Sequence, residues 1–232
     1  MHKITFLAPL GATFSHVAYD TLAEIYGTPK VTQDGAESNY IPAPSNGEVL
    51  GLIQKHGGYG TIAMETRAEG RVAEPLESFI TLLQTLNETG NHRIHVVGAL
   101  RMKIHFCLMI RPTTPLLAVN KILAHPKAKG ACKKKIAATG AEFVGVASNG
   151  EAARLVAESD EYGSCAALGP RSAATKYNLI VINDAFEDTE AVTTFFLVAP
   201  KLVTCAHIQW VIHYFFPLSA MHWRHLMANY LI

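Results

Sequence analysis

Apolar positions along the chain fall into short runs rich in Ile, Val, Leu and Phe, separated by stretches in which apolar residues recur at helical spacing. That alternation predicts a layered α/β fold with largely parallel strands. A first strand is expected at 4–8 and a helix at 15–26, then a strand at 59–64 and a helix at 75–87 that Asn87 and Gly90 end. Residues 94–97 and 104–110 read as extended, and Pro112 and Pro115 mark the turn after them. Beyond that turn the pattern predicts a strand at 118–123, a helix at 127–139, a strand at 143–146 and a helix at 150–158 capped by Ser148 or Asn149. A small-residue strand at 164–168 leads into Gly169-Pro170 and a short helix at 171–177, and strands at 179–183 and 194–199 follow. No repeat or low-complexity linker separates the two units. The expectation is two lobes that share crossing strands, residues 1–100 with 178–232 in the first and 101–177 in the second, joined by a hinge rather than a flexible tether.

The tail changes the picture at one end. From Val203 onward no Lys, Arg, Asp or Glu occurs before Arg224, and the stretch carries Trp210 and Trp223. A membrane span needs about 20 strongly apolar residues, and His207, Gln209, His213, Pro217 and His222 interrupt this one. An aromatic face buried on the body or on a second copy is expected instead, which makes a homodimer or higher homo-oligomer the expected state. His222 and His225 lie three apart with no carboxylate or cysteine to complete a metal site, so none is expected. At the other end, residues 1–12 have an early Lys and an apolar stretch, but Pro9 breaks it and Ile4-Thr5-Phe6-Leu7 reads as a strand rather than a secretory leader. The expected compartment is the cytoplasm.

Lys and Arg number 20 against 19 Asp and Glu, so no long-range field draws in nucleic acid or an anionic membrane, and any selectivity for a charged ligand is local. Cys107, Cys132, Cys165 and Cys205 are scattered without CxxC or CxxH spacing and read as buried, reduced thiols. Lys127, Lys129, Lys133, Lys134 and Lys135 form a solvated helix face. If its first turn faces a cleft, it also draws in a dianion.

Three segments carry candidate chemistry. In Ala8-Pro9-Leu10-Gly11-Ala12-Thr13-Phe14-Ser15-His16 a strand meets a Pro/Gly turn and a helix start. Backbone N–H groups and the hydroxyls of Thr13 and Ser15 there suit a carboxylate or phosphate, or simply cap the helix. Ala63-Met64-Glu65-Thr66-Arg67-Ala68-Glu69-Gly70 follows a strand directly, and ligands of open α/β sheets collect at such carboxyl ends. A solvated surface loop is the alternative. Glu187-Asp188-Thr189-Glu190-Ala191-Val192-Thr193-Thr194-Phe195 is an acidic loop running into a strand, where adjacent threonines are ordinary β-formers.

Taken together, in this order and spacing, these segments resemble the prephenate dehydratase family over roughly residues 4–199. The opening is similar to its Gly-Pro-x-Gly-Thr-Phe-Ser segment, with Ala8 for the first glycine and one extra residue, Ala12. Glu65-Thr66-Arg67 with Gly70 resembles its Glu-Asn-Ser-x-x-Gly stretch, and His125-Pro126 its Ser-His-Pro loop. Ser148-Asn149-Gly150-Glu151-Ala152-Ala153 resembles its Ser-Thr-Ala-x-Ala-Ala helix start, and Thr193-Thr194-Phe195 its Thr-Arg-Phe signature. The resemblance implies a two-lobed fold like a periplasmic binding protein, with mainly parallel sheets and a central cleft. It also implies a lyase of phenylalanine biosynthesis that takes the dicarboxylate prephenate to phenylpyruvate with loss of water and carbon dioxide, and needs no cofactor. Thr193 matches the signature threonine and is the implied donor to the departing hydroxyl. Its hydroxyl is a weak acid, so a positioned hydrogen bond or a proton relay is its role. Glu65 orients the site, Thr13, Ser15, Ser148 and Asn149 supply polar contacts, and Thr66, Arg67, Thr194 and Phe195 complete the substrate-binding set.

The chain departs from the family pattern at specific points. The signature arginine is Thr194, the Asn-Ser after the glutamate is Thr66-Arg67, the asparagine two before the signature threonine is Ala191, and the glutamate after Gly98 is Ala99. Losing a guanidinium from a carboxylate site is not conservative. Arg67 suggests a repair in which the cation moves to the wall that faces Thr194 across the cleft. The residues after Pro200 are too few for the family's ACT domain, so feedback by that route is not expected. The departures leave two other functions open, a prephenate decarboxylase that keeps the hydroxyl and does not aromatise the ring, and a ligand-binding protein without catalysis.

Overall fold

A computed structural model describes residues 2–32, 38–66, 70–71 and 94–200, with 65–66 and 70–71 described through the backbone alone. The expected helix at 75–87 and the tail from Val203, with Cys205, lie outside the described residues.

Strand β1 (Ile4–Leu7) lies inside the first sheet, next to its edge, and Ile4, Thr5 and Phe6 are buried on both of its faces. It pairs in parallel with β2 (Tyr40–Ala43) on one side and β3 (Tyr59–Thr66) on the other. Helix α1 (Phe14–Tyr26) carries the chain from β1 to β2, and α2 (Glu48–His56) carries it from β2 to β3. The helices cover opposite faces. Tyr19, Leu22 and Ala23 of α1 pack with Ile4, Phe6 and Leu197, whereas Val49, Leu50 and Ile53 of α2 pack with Ile62, Phe196 and Val198. The short β4 (Gly70–Arg71) pairs with the end of β3, and β11 (Ala191–Ala199) inserts antiparallel between β3 and β5 (His95–Ile104).

The second sheet runs in the order β10-β6-β9-β7-β8. Its strands are β6 (Cys107–Ile110), β7 (Lys121–Ala124), β8 (Glu142–Gly145), β9 (Ala166–Gly169) and β10 (Ile180–Asn183). β7 lies parallel between β8 and β9, and β6 adds antiparallel partners. Helices α3 (Pro126–Ala131), α4 (Lys133–Thr139), α5 (Asn149–Glu158) and α6 (Arg171–Tyr177) connect these strands. The expected α/β architecture with two sheets about a central cleft is therefore present.

Several local features differ from the sequence expectation. The strand expected at 94–97 runs on as β5 to Ile104, and the one expected at 104–110 begins only at Cys107, because the chain crosses between the sheets at His105-Phe106. The pattern predicts neither β2 nor α2. Pro42 lies within β2, which is tolerated because β2 is an edge strand paired with β1 alone, and Gly51 in the middle of α2 weakens its helical signal. The single helix expected at 127–139 is two helices, broken at Cys132 with φ −118° and ψ 17°. The break is held from outside. The Asp188 carboxylate accepts from the Lys134 and Lys135 N–H groups at 2.6 and 3.0 Å, and Asp188 N–H donates to Ala131 C=O at 2.8 Å. Both the free donors of α4 and a carbonyl of α3 are satisfied in this way. Cys107, Cys132 and Cys165 are buried free thiols, and burial pushes the Cys132 thiol up to about 12, which leaves it inert.

The chain leaves the first sheet at His105-Phe106 and returns through 184–190, and the acidic loop staples the two crossings together. Glu187 accepts from Phe106 N–H at 3.0 Å and lies 2.9 Å from His105 Nδ1, while Phe106 C=O accepts from Phe186 N–H at 2.8 Å. The Glu187 side chain is only 9% exposed. Glu187→Ala leaves the Phe106 N–H without its charged acceptor and is expected to lower the unfolding free energy by about 1–3 kcal/mol in urea titration, with Glu187→Gln losing less.

Candidate active site

The turn after β1 is built by its own hydrogen bonds. Gly11, at φ 77°, adopts a left-handed conformation that favours glycine, and its N–H donates to His16 Nδ1 at 2.8 Å. Thr13 is the N-cap of α1, where its Oγ1 accepts from His16 N–H at 3.2 Å and donates to Leu7 C=O at 3.0 Å. Its hydroxyl is thus largely committed to the cap. Ser15, in the first turn of α1, is 3% exposed and faces the cleft, and its hydroxyl has no hydrogen-bond partner among the described residues.

The second sheet grips this turn. Ser148, N-cap of α5, accepts from Glu151 N–H at 3.0 Å and donates to Ala8 C=O at 2.8 Å. Lys176 of α6 donates to Leu10 C=O, and Ala12, the extra residue in the family comparison, is buried among Ala152, Ala153 and Ala173. Gly150 makes the approach possible. A Cβ there would stand 2.7 Å from Pro9 Cδ and 2.8 Å from Ala12 O. Asn149 holds the neighbouring loop, its Oδ1 accepting from His125 N–H at 2.9 Å. His125 Nδ1 in turn accepts from Lys127 N–H at 3.3 Å, so the neutral ring carries its proton on Nε2.

The third wall is β11. Alternation along the strand turns Ala191, Thr193 and Phe195 to the cleft and Thr194 to the opposite face, the face on which Phe196 packs with Ile62 and Val198. Thr193 pairs with Thr66 and Thr194 with Glu65 in adjacent strands of one sheet. The glutamate segment and the signature are therefore neighbours on one wall. The expectation that the Arg67 segment faces Thr194 across the cleft is corrected by this register, since β11 returns beside β3. Arg67 itself lies outside the described residues, and Glu65 and Thr66 are fixed by backbone register alone.

The resulting cleft has a volume of about 410 Å³, within the range of small-molecule sites. Six of the expected site residues come together in it, Thr13, Ser15, Ser148, Asn149, Thr193 and Phe195, and Thr194 does not line it. Leu7, Phe14, Ile104 and Phe106 give it an apolar surface, with the Phe14 and Phe106 rings edge to face at 5.3 Å. Asn46, Phe14 and Phe106 are not among the sequence candidates. Asn46 follows the unexpected β2, and its Oδ1 accepts from Ala63 N–H at 3.4 Å. The carboxyl-end rule that selected Glu65 would have selected Asn46 once β2 was recognised. His125 and Lys127 also line the cleft, so the first turn of the lysine-rich face does point inward.

A model of the prephenate dehydratase family matches residues 4–202. The chain belongs to the prephenate dehydratase family. It is 26% identical over 200 residues to the prephenate dehydratase of Corynebacterium glutamicum, covering 84% of this chain and 57% of that protein. It is 32% identical over 139 residues to the bifunctional chorismate mutase/prephenate dehydratase of Neisseria gonorrhoeae, covering 58% of this chain and 38% of that protein. The chain thus spans between about a quarter and three fifths of the length of the curated relatives it matches. Among solved structures, the prephenate dehydratase of Arthrobacter aurescens in complex with L-Phe superposes with a TM-score of 0.66 at 24% identity, covering 87% of this chain and 61% of that one. GqqA, described as a quorum-quenching acylase, superposes at 0.61 with 20% identity, covering 88% and 65%. At these identities the structural likeness is one of fold.

Two measurements probe how this prephenate dehydratase family member builds its cleft. Helix propensity alone favours Ala over Gly, but Gly150→Ala drives a Cβ into Pro9 and Ala12 and is expected to cost about 1–3 kcal/mol in chemical denaturation. His16 provides the second. Burial lowers its pKa from 6.5, against the opposing pull of Asp20 and with a smaller push from Lys176. The folded state therefore prefers the neutral ring that accepts from Gly11, and the unfolded chain takes up the proton first as the pH falls. Stability present above about pH 6.5 is lost below it until the folded value is reached. Thermal unfolding between pH 7.5 and 5 is expected to fall more steeply in the wild type than in His16→Gln.

Proposed function

We propose that the chain is a carbon–oxygen lyase that converts prephenate to phenylpyruvate, water and carbon dioxide. In this reading the bond from the ring to its carboxylate breaks, the electron pair moves through the ring, and the bond to the ring hydroxyl breaks on the far side. The ring becomes aromatic and the oxygen leaves as water once it has gained a proton. No redox partner is needed. The protein's task is to orient the dianion, keep water from the ring and offer a hydrogen bond to the departing oxygen.

The observation that supports this most is that Thr193 lines the same apolar cleft as the N-terminal turns of α1 and α5. Thr193 Oγ1 donates to the leaving hydroxyl, Phe14 and Phe106 flank the ring, and Asn149 and Ser15 contact the carboxylate end. Glu65 pairs with Thr194 in the backbone register of this wall and makes no contact with the substrate in this scheme. Thr194 contributes nothing to the carboxylate in this scheme, because its side of β11 packs against the core.

Incubation with prephenate and identification of the product tests the reading. The expected product is phenylpyruvate, with Thr193→Ala lowering kcat by about 10²–10³-fold and Thr193→Ser retaining most of the rate. A non-aromatic dihydro-hydroxyphenylpyruvate would make the chain a decarboxylase, and bound but unchanged prephenate would make it a binding protein.

A further inference from the structure

We infer that Lys127, on the second sheet's side of the cleft, binds the substrate's side-chain carboxylate together with the Ser15 hydroxyl, in place of an arginine on β11. The inference rests on the lyase reading for its substrate, but its physical basis is independent of turnover. Lys127 is the only Lys or Arg among the described residues that line the cleft, and no carboxylate side chain among them lines it. Several other cations of the fold are engaged. Arg154 bonds Glu151 and Glu158, Arg171 pairs with Asp184, Lys30 with Glu24, and Lys176 donates to Leu10 C=O. Lys127 is a half-buried residue, and its ammonium has no hydrogen-bond or ion-pair partner among the described residues. A cation beside apolar side chains, with its partner missing, is an incomplete arrangement that an anion completes.

Ser15 is the second observation. The residue is nearly fully buried, and its hydroxyl is unpartnered among the described residues and lines the same cleft, in the first turn of the 13-residue α1. A carboxylate between Ser15 and Lys127 gains a hydrogen bond, the field of the α1 N-terminus and an ion pair at once. β11 cannot supply the cation instead, since position 194 is a threonine on the far face of the strand. An ammonium on a flexible stem is a point charge and does not demand the bidentate geometry of a guanidinium. The site therefore selects small aromatic or cyclohexadienyl carboxylates on charge rather than on fork geometry. It also draws its cation from one sheet and Thr193 from the other, so a bound substrate spans both.

The test uses two probes that cannot react, 3-phenylpropanoate and its uncharged amide, with binding measured by calorimetry, alongside turnover of prephenate. The wild type is expected to prefer the carboxylate by about tenfold or more, and Lys127→Met to erase that preference. Lys127→Arg should retain part of it, and Lys133→Met, on the solvated face, should leave it unchanged. In turnover, Lys127→Met should raise KM for prephenate by about 10–100-fold with a smaller effect on kcat. Absence of a carboxylate preference in the wild type, or its persistence in Lys127→Met, overturns the inference. A preference that depends on Lys127 in a protein that makes no phenylpyruvate upholds the carboxylate site and overturns the lyase reading alone.

Discussion

Between Gly150 and the turn at Pro9 there is no room for a side chain, and the geometry of the cleft depends on that close approach. With a hydrogen in place of a methyl group, the N-terminus of α5 comes against the segment that starts α1, so Ser148 can donate to Ala8 C=O and Ala12 can sink into the second sheet's core. Two helix N-termini from different sheets then open on the same space. Neither helix start is a site by itself. Their convergence, with a strand of the first sheet as the third wall, creates a volume in which polar groups from distant parts of the chain face one ligand.

The close approach is held at one side by the crossing chains. Glu187 ties the return crossing to the outward one, and Asp188 caps α4 while taking a bond at the end of α3. The loop that reads as merely acidic in the sequence is thus a set of caps and acceptors, each satisfying backbone groups that would otherwise be orphaned. Because these contacts lie at the junction of the two sheets, they limit how far the sheets can move apart while leaving the cleft side open.

Much of this was legible where the signals are local. Thr13 and Gly27 bracket α1 as an N-cap and a left-handed C-cap, and Pro170 with Asn178 brackets α6, so both helices read correctly from the sequence. β2 did not, because a proline inside a strand is allowed only by its edge position, which no local pattern reveals. The break at Cys132 was hidden for a similar reason, since the group that stabilises it, Asp188, belongs to a remote loop. The site divides in the same way. Thr13, Ser15, Ser148, Asn149, Thr193 and Phe195 were reachable through motif resemblance. The adjacency of β3 and β11 is a matter of sheet order, and the residues alone suggested facing walls where there is one.

This distinction changes how the motif departures should be read. A threonine in place of the signature arginine looks like a lost binding group as long as the signature is taken as three consecutive site residues. Strand alternation removes that assumption, because Thr193 and Phe195 face the cleft and Thr194 cannot do so without reversing its neighbours. The electrostatic demand of a carboxylate ligand does not vanish with the arginine. It passes to whatever cation the opposite wall presents, and among the described residues the cleft presents Lys127. Sequence departures on β11 and the inward turn of a lysine on α3 are then two halves of one rearrangement, linked through the ligand rather than through any contact between them.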